Sequence, residues 1–233
     1  MPGEDVTLEA ADGGRFTGYL ARPSSGARPG LVVLQEIFGV NKVMRDVADG
    51  FAAQGYFALV PDLFWRQEPG IQLTDETEEE WQRAFELYNG FGEDEGIDDA
   101  KAALAQLRRA PGCIGKVGAI GYCLGGKLAY LMGTRSDADC LVGYYGVGIA
   151  DALDEAKNIT KPLLLHVAEK DRFVPPQAQA KVAAALKNHP QVTIHDYPGV
   201  DHAFARVGGE HFDQAAADLA NRRTAEFLKA HLG

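Results

Sequence analysis

The stretch KVGAIGYCLGGKLAYLMG, residues 116–133, limits the possible folds more than any other part of this chain. Its first eight residues, 116–123, read as a β-strand, and residues 124–133 read as the helix that leaves it. Gly121 and Gly125 flank the join, where side chains would collide with neighbouring backbone. A strand that runs straight into a helix needs a neighbour reached by crossover, and such neighbours are parallel.

The remaining segments repeat the alternation. Residues 5–9 and 15–21 flank ADGG, a hairpin signal with Asp-Gly at its tip. Residues 29–36 and 56–64 are short apolar runs that read as strands buried on both faces, the second closed by Pro61. Residues 41–55 have helical spacing at Val43, Val47, Phe51 and Ala52, with Gly55 as the stop. Two further helices are expected over 75–89 and 96–109, and strands over 139–146, 161–171 and 192–199. A helix opening on proline covers 175–188, and a long amphipathic helix over 211–232 closes the chain. Strands alternating with helices predict a mostly parallel sheet flanked by helices on both faces, and the length of 233 residues suits a single domain over 1–233.

A net charge of −10 argues against nucleic acid or an anionic membrane as partner. The acidic run TDETEEE, residues 74–80, reads as the solvated start of a helix, where negative charge faces the positive dipole end. The amino terminus lacks a basic stretch followed by an apolar core, so no secretory signal is expected, and no apolar run is long enough for a span. Cys113, Cys123 and Cys140 cannot all pair within one chain and lack C-x-x-C spacing, which predicts a reducing cytoplasm and no metal site. Cys113 and Cys140 read as small apolar side chains near strand ends, whereas Cys123 sits in the glycine turn.

A strand, a tight Gly-x-Cys-x-Gly turn and a helix form the nucleophile elbow of the α/β-hydrolase fold. The helix end presents unpaired N–H groups, and that of Leu124 faces the oxygen that becomes negative when a carbonyl is attacked. In this fold the acid and then the histidine follow the nucleophile along the chain. Asp171 lies just past a strand end in LLLHVAEKDRFVP, and His202 lies after the last strand in YPGVDHAFAR. Asp171 alone would serve as a turn or cap residue, and His202 alone as a surface histidine; their order behind the elbow makes Cys123, Asp171 and His202 a candidate triad. His166 and His195 fall inside predicted strands, and His189, His211 and His231 at helix surfaces or ends.

The second oxyanion donor in this fold comes from the loop after the strand LVVLQ, which makes the Ile37 N–H the candidate. Glu36 beside it is either a carboxylate partnered by a nearby arginine or backbone donor, or a group close to Cys123 that tunes its protonation.

With QEIFGVN, PDL, GYCLGG, GYYGVG, DRFVP and HAFAR in this order, nearly the whole chain resembles the dienelactone hydrolase (carboxymethylenebutenolidase) family. The resemblance implies a Cys-His-Asp triad that needs no cofactor or metal and opens the enol-lactone of a small unsaturated acid. It implies that Cys123 is the nucleophile, His202 the base and Asp171 its orienting acid, with Glu36 held near the resting thiol and Arg206 binding the substrate carboxylate. It also points to Phe38 and Tyr145, with Tyr88 and Tyr144, as pocket residues or ordinary core. The chain departs from the family pattern where Trp81 stands for a second carboxylate-binding arginine, Phe85 for a tyrosine and Ala203 for a serine. Arg83 is two residues on, about 200° around a helix, and is no obvious replacement. The expectation is a monomeric hydrolase of a small, carboxylate-bearing lactone or ester. The alternatives are a general short-chain carboxylesterase with a more apolar pocket, a non-catalytic binding homologue, and a redox-sensing thiol.

Overall fold

Apolar strands alternate with amphipathic helices throughout the structure, a computed structural model that describes residues 2–233; Met1 lies outside the described residues. The strands belong to one sheet, mostly parallel. The chain forms two compact units, one up to residue 118 and one from 119 onward, and the division falls inside the strand β5, Cys113–Tyr122.

In the first unit, β1 (Glu4–Glu9) and β2 (Arg15–Ala21) form the expected antiparallel hairpin, with Glu9 opposite Arg15. At its tip Asp12 accepts the Gly14 N–H at 2.9 Å, and Gly13 takes φ +84°. β2 pairs antiparallel with β4 (Phe57–Pro61), which pairs parallel with β3 (Arg28–Leu34). Leu31 to Leu34 are fully buried, so both faces of β3 are covered, as its unbroken apolar run requires. The helix α1 (Lys42–Ala53) is capped by Asn41, whose Oδ1 accepts the Met44 N–H, and it packs Met44, Ala48 and Phe51 inward. The helix α2 (Glu78–Asn89) starts at the Thr77 cap with Glu78, Glu79 and Glu80 in its first turn; Glu80 also binds Thr74 and Thr77. α3 (Glu93–Arg108) packs on β1, β3 and β4. β4 is shorter than the apolar run 56–64 suggests, because Asp62 accepts the N–H groups of Phe64 and Gly70 and turns the chain.

In the second unit β5, β6 (Leu141–Tyr144), β7 (Leu163–Ala168) and β8 (Val192–Tyr197) run parallel in chain order. The helices α4 (Leu124–Arg135) and α5 (Pro176–Leu186) connect β5 to β6 and β7 to β8. Two 3₁₀ turns, Ile149–Asp151 and Leu153–Asn158, join β6 to β7; they carry no helical periodicity and are not foreseen from sequence. α6 (Gln214–Leu232) lays Ala217, Ala220, Thr224 and Leu228 inward and packs on β7. The register aligns Tyr122, Tyr144, His166 and His195 across the four strands, so the loops after them leave from one edge. Ligands of open α/β sheets bind at this carboxyl edge. No described helix is long and apolar enough to cross a membrane.

Candidate functional site

The turn at Cys123 is held in a conformation that its residue type disfavours. Cys123 has φ +57° and ψ −113°, a left-handed setting that costs a non-glycine residue on the order of 1–3 kcal/mol. Four hydrogen bonds fix it. Its N–H reaches Tyr144 O at 3.1 Å, and its carbonyl accepts from Gly126 at 3.0 Å, Lys127 at 3.3 Å and Val147 at 3.4 Å. A side chain at Gly121 would strike the backbone of Gly125, and one at Gly126 would strike the Tyr144 carbonyl. Cys123 occupies the cap position of α4 without using its sulfur as a cap, and the side chain is partly exposed. Leu124 opens that helix, so its N–H has no intrahelical acceptor. Neither Cys113 nor Cys140 is in a disulfide.

Asp171 and His202 meet above the ends of β7 and β8, both nearly inaccessible to solvent. His202 Nδ1 lies 2.8 Å from Asp171 Oδ2. The other carboxylate oxygen accepts the N–H groups of Phe173 at 2.9 Å and Val174 at 3.2 Å, so the acid is held at both ends. Burial works against charge on the imidazole, but its interactions with Cys123 and Asp171 outweigh it and raise the His202 pKa to about 10. His202 Nε2 is buried without a hydrogen bond of ordinary geometry, although the Cys123 side chain interacts with the ring. Such contacts are often long in unliganded sites and tighten with substrate.

Aromatic rings fix the imidazole plane. Tyr145 and Phe173 stand edge-on to it at centroid distances of 5.0 and 4.9 Å. Tyr145 has φ +38°, and its N–H is held by His166 O at 2.8 Å. Ala203 also takes a left-handed φ, +60°, and its carbonyl accepts the N–H of Arg206, which is itself buried. Phe173 carries one signal in the sequence, its place two residues after Asp171. Behind these rings Tyr144 is core, with its hydroxyl 2.6 Å from Thr224 Oγ1.

The other sequence candidates lie in the first unit. Glu36 and Ile37 are buried just past β3. Their loop is pinned by Leu63 N–H to Gln35 Oε1 at 3.1 Å, by Leu73 N–H to Phe38 O at 2.9 Å, and by a bridge between Gly39 and Gln72. Phe38, Trp81 and Phe85 form a chain of rings, with centroids 5.0 Å apart for Phe38–Trp81 and 5.6 Å for Trp81–Phe85. Trp81 donates its indole N–H to Asp75 O at 3.0 Å, and Phe85 is 39% exposed. Arg83 is engaged elsewhere, by Glu68 and Glu86.

The dienelactone hydrolase family model matches residues 16–232. A protein named "Putative carboxymethylenebutenolidase" from Azospirillum brasilense is 56% identical over 233 residues, covering 98% of this chain and 99% of that one. "Carboxymethylenebutenolidase 1" from Cupriavidus pinatubonensis is 37% identical over 228 residues, covering 98% and 97%. Among solved structures, one titled "Putative Dienelactone Hydrolase" from Klebsiella pneumoniae superposes with a TM-score of 0.86 at 23% identity, over 97% of this chain and 98% of that one, and so shares the fold. By family model and relatives, this chain is a hydrolase that belongs to the dienelactone hydrolase family.

Proposed function

We propose that this chain opens small, carboxylate-bearing enol-lactones by a cysteine-dependent route. The observation that carries the reading is the buried His202–Asp171 pair, joined at 2.8 Å, together with the strained turn that holds Cys123 at the start of α4. In this reading the Cys123 sulfur attacks the lactone carbonyl while His202 holds the thiol proton. The oxyanion rests on the N–H groups of Leu124 and Ile37, each such donor being worth about 2.7–4 kcal/mol of barrier. Collapse breaks the ring C–O bond and leaves an acyl-thioester on Cys123, with the departing enolate still tethered. Proton transfer from His202 or from water restores the neutral group. Water then attacks the thioester and releases the ring-opened acid and the sulfur. Asp171 keeps the imidazole in one tautomer and stabilises its charged form. In this reading Glu36 tunes the protonation of the thiol, and Arg206 holds the substrate carboxylate by a charge-assisted bond.

The ring chain Phe38–Trp81–Phe85 favours a second reading, that neutral short-chain esters are accepted as well. Trp81 cannot pair with an anion as an arginine would, and Ala203 offers no hydroxyl. The chain is further read as a single catalytic domain, monomeric and cytoplasmic; the family match over residues 16–232 supports one domain. Hydrolysis of cis- and trans-dienelactone beside p-nitrophenyl acetate tests the substrate class. The proposal expects both lactones to exceed the ester in kcat/KM. Ester turnover with neither lactone hydrolysed would replace the lactone reading with the esterase.

A further inference from the structure

We propose that Asp201, the residue before the candidate base, is a positioning residue that ties the loop of Asp171 to the loop of His202; this rests on the reading that His202 and Asp171 handle the proton. The two loops begin where β7 and β8 end. Past the strand ends the backbone ladder continues for two rungs, Glu169 N–H to Tyr197 O at 3.1 Å and Lys170 N–H to Val200 O at 2.9 Å. Beyond them the carbonyls no longer face across. There Asp201 Oδ1 accepts the Arg172 N–H at 3.0 Å, and the same oxygen accepts the His202 N–H at 2.6 Å. One side-chain oxygen therefore grips both the residue after the acid and the base itself. It supplies the rung that the backbone cannot.

The segment requires such a brace. Ala203, next along, sits at φ +60°, a conformation uncommon for a residue with a Cβ. Oδ2 faces outward, 3.6 Å from Arg172 Nε and 3.9 Å from His211 Nε2, and Glu210 approaches the same two side chains at 3.9 and 3.5 Å. The side chains of Asp201 and Arg172 are 28% and 47% exposed, so these outer pairs are screened and the inner oxygen does the bracing. Burial opposes the charge of Asp201, yet the His202 and Arg172 N–H groups hold its carboxyl below the usual range. Asp201 reaches His202 through the backbone N–H, whereas Asp171 holds the imidazole itself. What the brace needs is an acceptor rather than a charge.

Steady-state hydrolysis of cis-dienelactone and p-nitrophenyl acetate by wild type, Asp201→Ala, Asp201→Asn and His202→Ala separates these roles. Displacing a catalytic group by about 1 Å can lower turnover about 100-fold, so Asp201→Ala is expected to lose about 10- to 100-fold in kcat with KM within about twofold. Asp201→Asn keeps the accepting oxygen and is expected to stay within about threefold of wild type. Should the alanine variant fail to fold, Asp201→Ser, too short to span both N–H groups, is measured instead. Unchanged kcat in the truncated variant, with His202→Ala inactive, overturns the inference alone, as does an asparagine variant that falls as far as alanine. Activity retained by His202→Ala overturns the reading beneath it.

Discussion

His166 makes the acid stability of this protein a test of its interior. It is 1% exposed, with Nδ1 2.7 Å from the Tyr197 hydroxyl and Nε2 2.9 Å from Thr224 Oγ1. Thr224 in turn binds Tyr144, whose hydroxyl donates to Asn221 at 3.1 Å. Burial, with the charges of His195 and Arg223, lowers the His166 pKa from 6.5 to about 3. The unfolded chain therefore takes up a proton as pH falls below 6.5, and the folded chain does not until about 3. More protons on the unfolded state means stability is full above pH 6.5 and is lost as pH falls toward 3, by about 1.4 kcal/mol per unit. Between pH 7 and pH 4.5 the loss comes to about 2–3 kcal/mol. Guanidinium unfolding at both pH values, for wild type and His166→Gln, isolates it. Glutamine keeps a donor and an acceptor but does not titrate, and carboxylate contributions cancel in the comparison. Wild type should lose about 2–3 kcal/mol more than the variant on acidification. Equal losses would show that the imidazole takes a proton in place, and the account of a neutral buried network would fail.

Two further outcomes follow from the turn and the acid. Gly121→Ala puts a Cβ 2.9 Å from Gly125 Cα and nearer still to its carbonyl, where only backbone could yield. Activity should fall at least about 100-fold as Cys123 shifts, and normal turnover would mean the turn tolerates a side chain. Asp171→Asn keeps an oxygen for the Phe173 and Val174 N–H groups but turns an amide toward His202 Nδ1, imposing the wrong tautomer. The expected fall in kcat is on the order of 10⁴-fold, read by initial rates, and a loss under tenfold would remove Asp171 from its proposed role.

Much of the architecture was legible because it is written locally. The glycine turn, the apolar runs of β3 and β4 and the Asp-Gly hairpin each announce themselves within a dozen residues. The nearness of Asp171 to His202 was legible for a related reason: parallel strands in register deliver their following loops to one edge. What could not be read has no local signature. Tyr145 and Ala203 hold positive φ although neither is glycine; Tyr145 is held there by the His166 carbonyl from another strand, and Ala203 accepts the Arg206 N–H within its own loop. The 3₁₀ turns after β6 lack periodicity, and the early end of β4 depends on two N–H groups reaching one aspartate. Thr224 looked like one more residue on an amphipathic helix, and only tertiary packing sets it between His166 and Tyr144.

The central claim is that Cys123 is the nucleophile. It is tested most directly by measuring kcat/KM for cis-dienelactone with Cys123→Ala beside wild type, with circular dichroism to establish that both are folded. Removing a nucleophile leaves only binding and oxyanion stabilisation, so the account predicts a loss of at least about 1,000-fold. A folded alanine variant that retains turnover within about tenfold of wild type would contradict it.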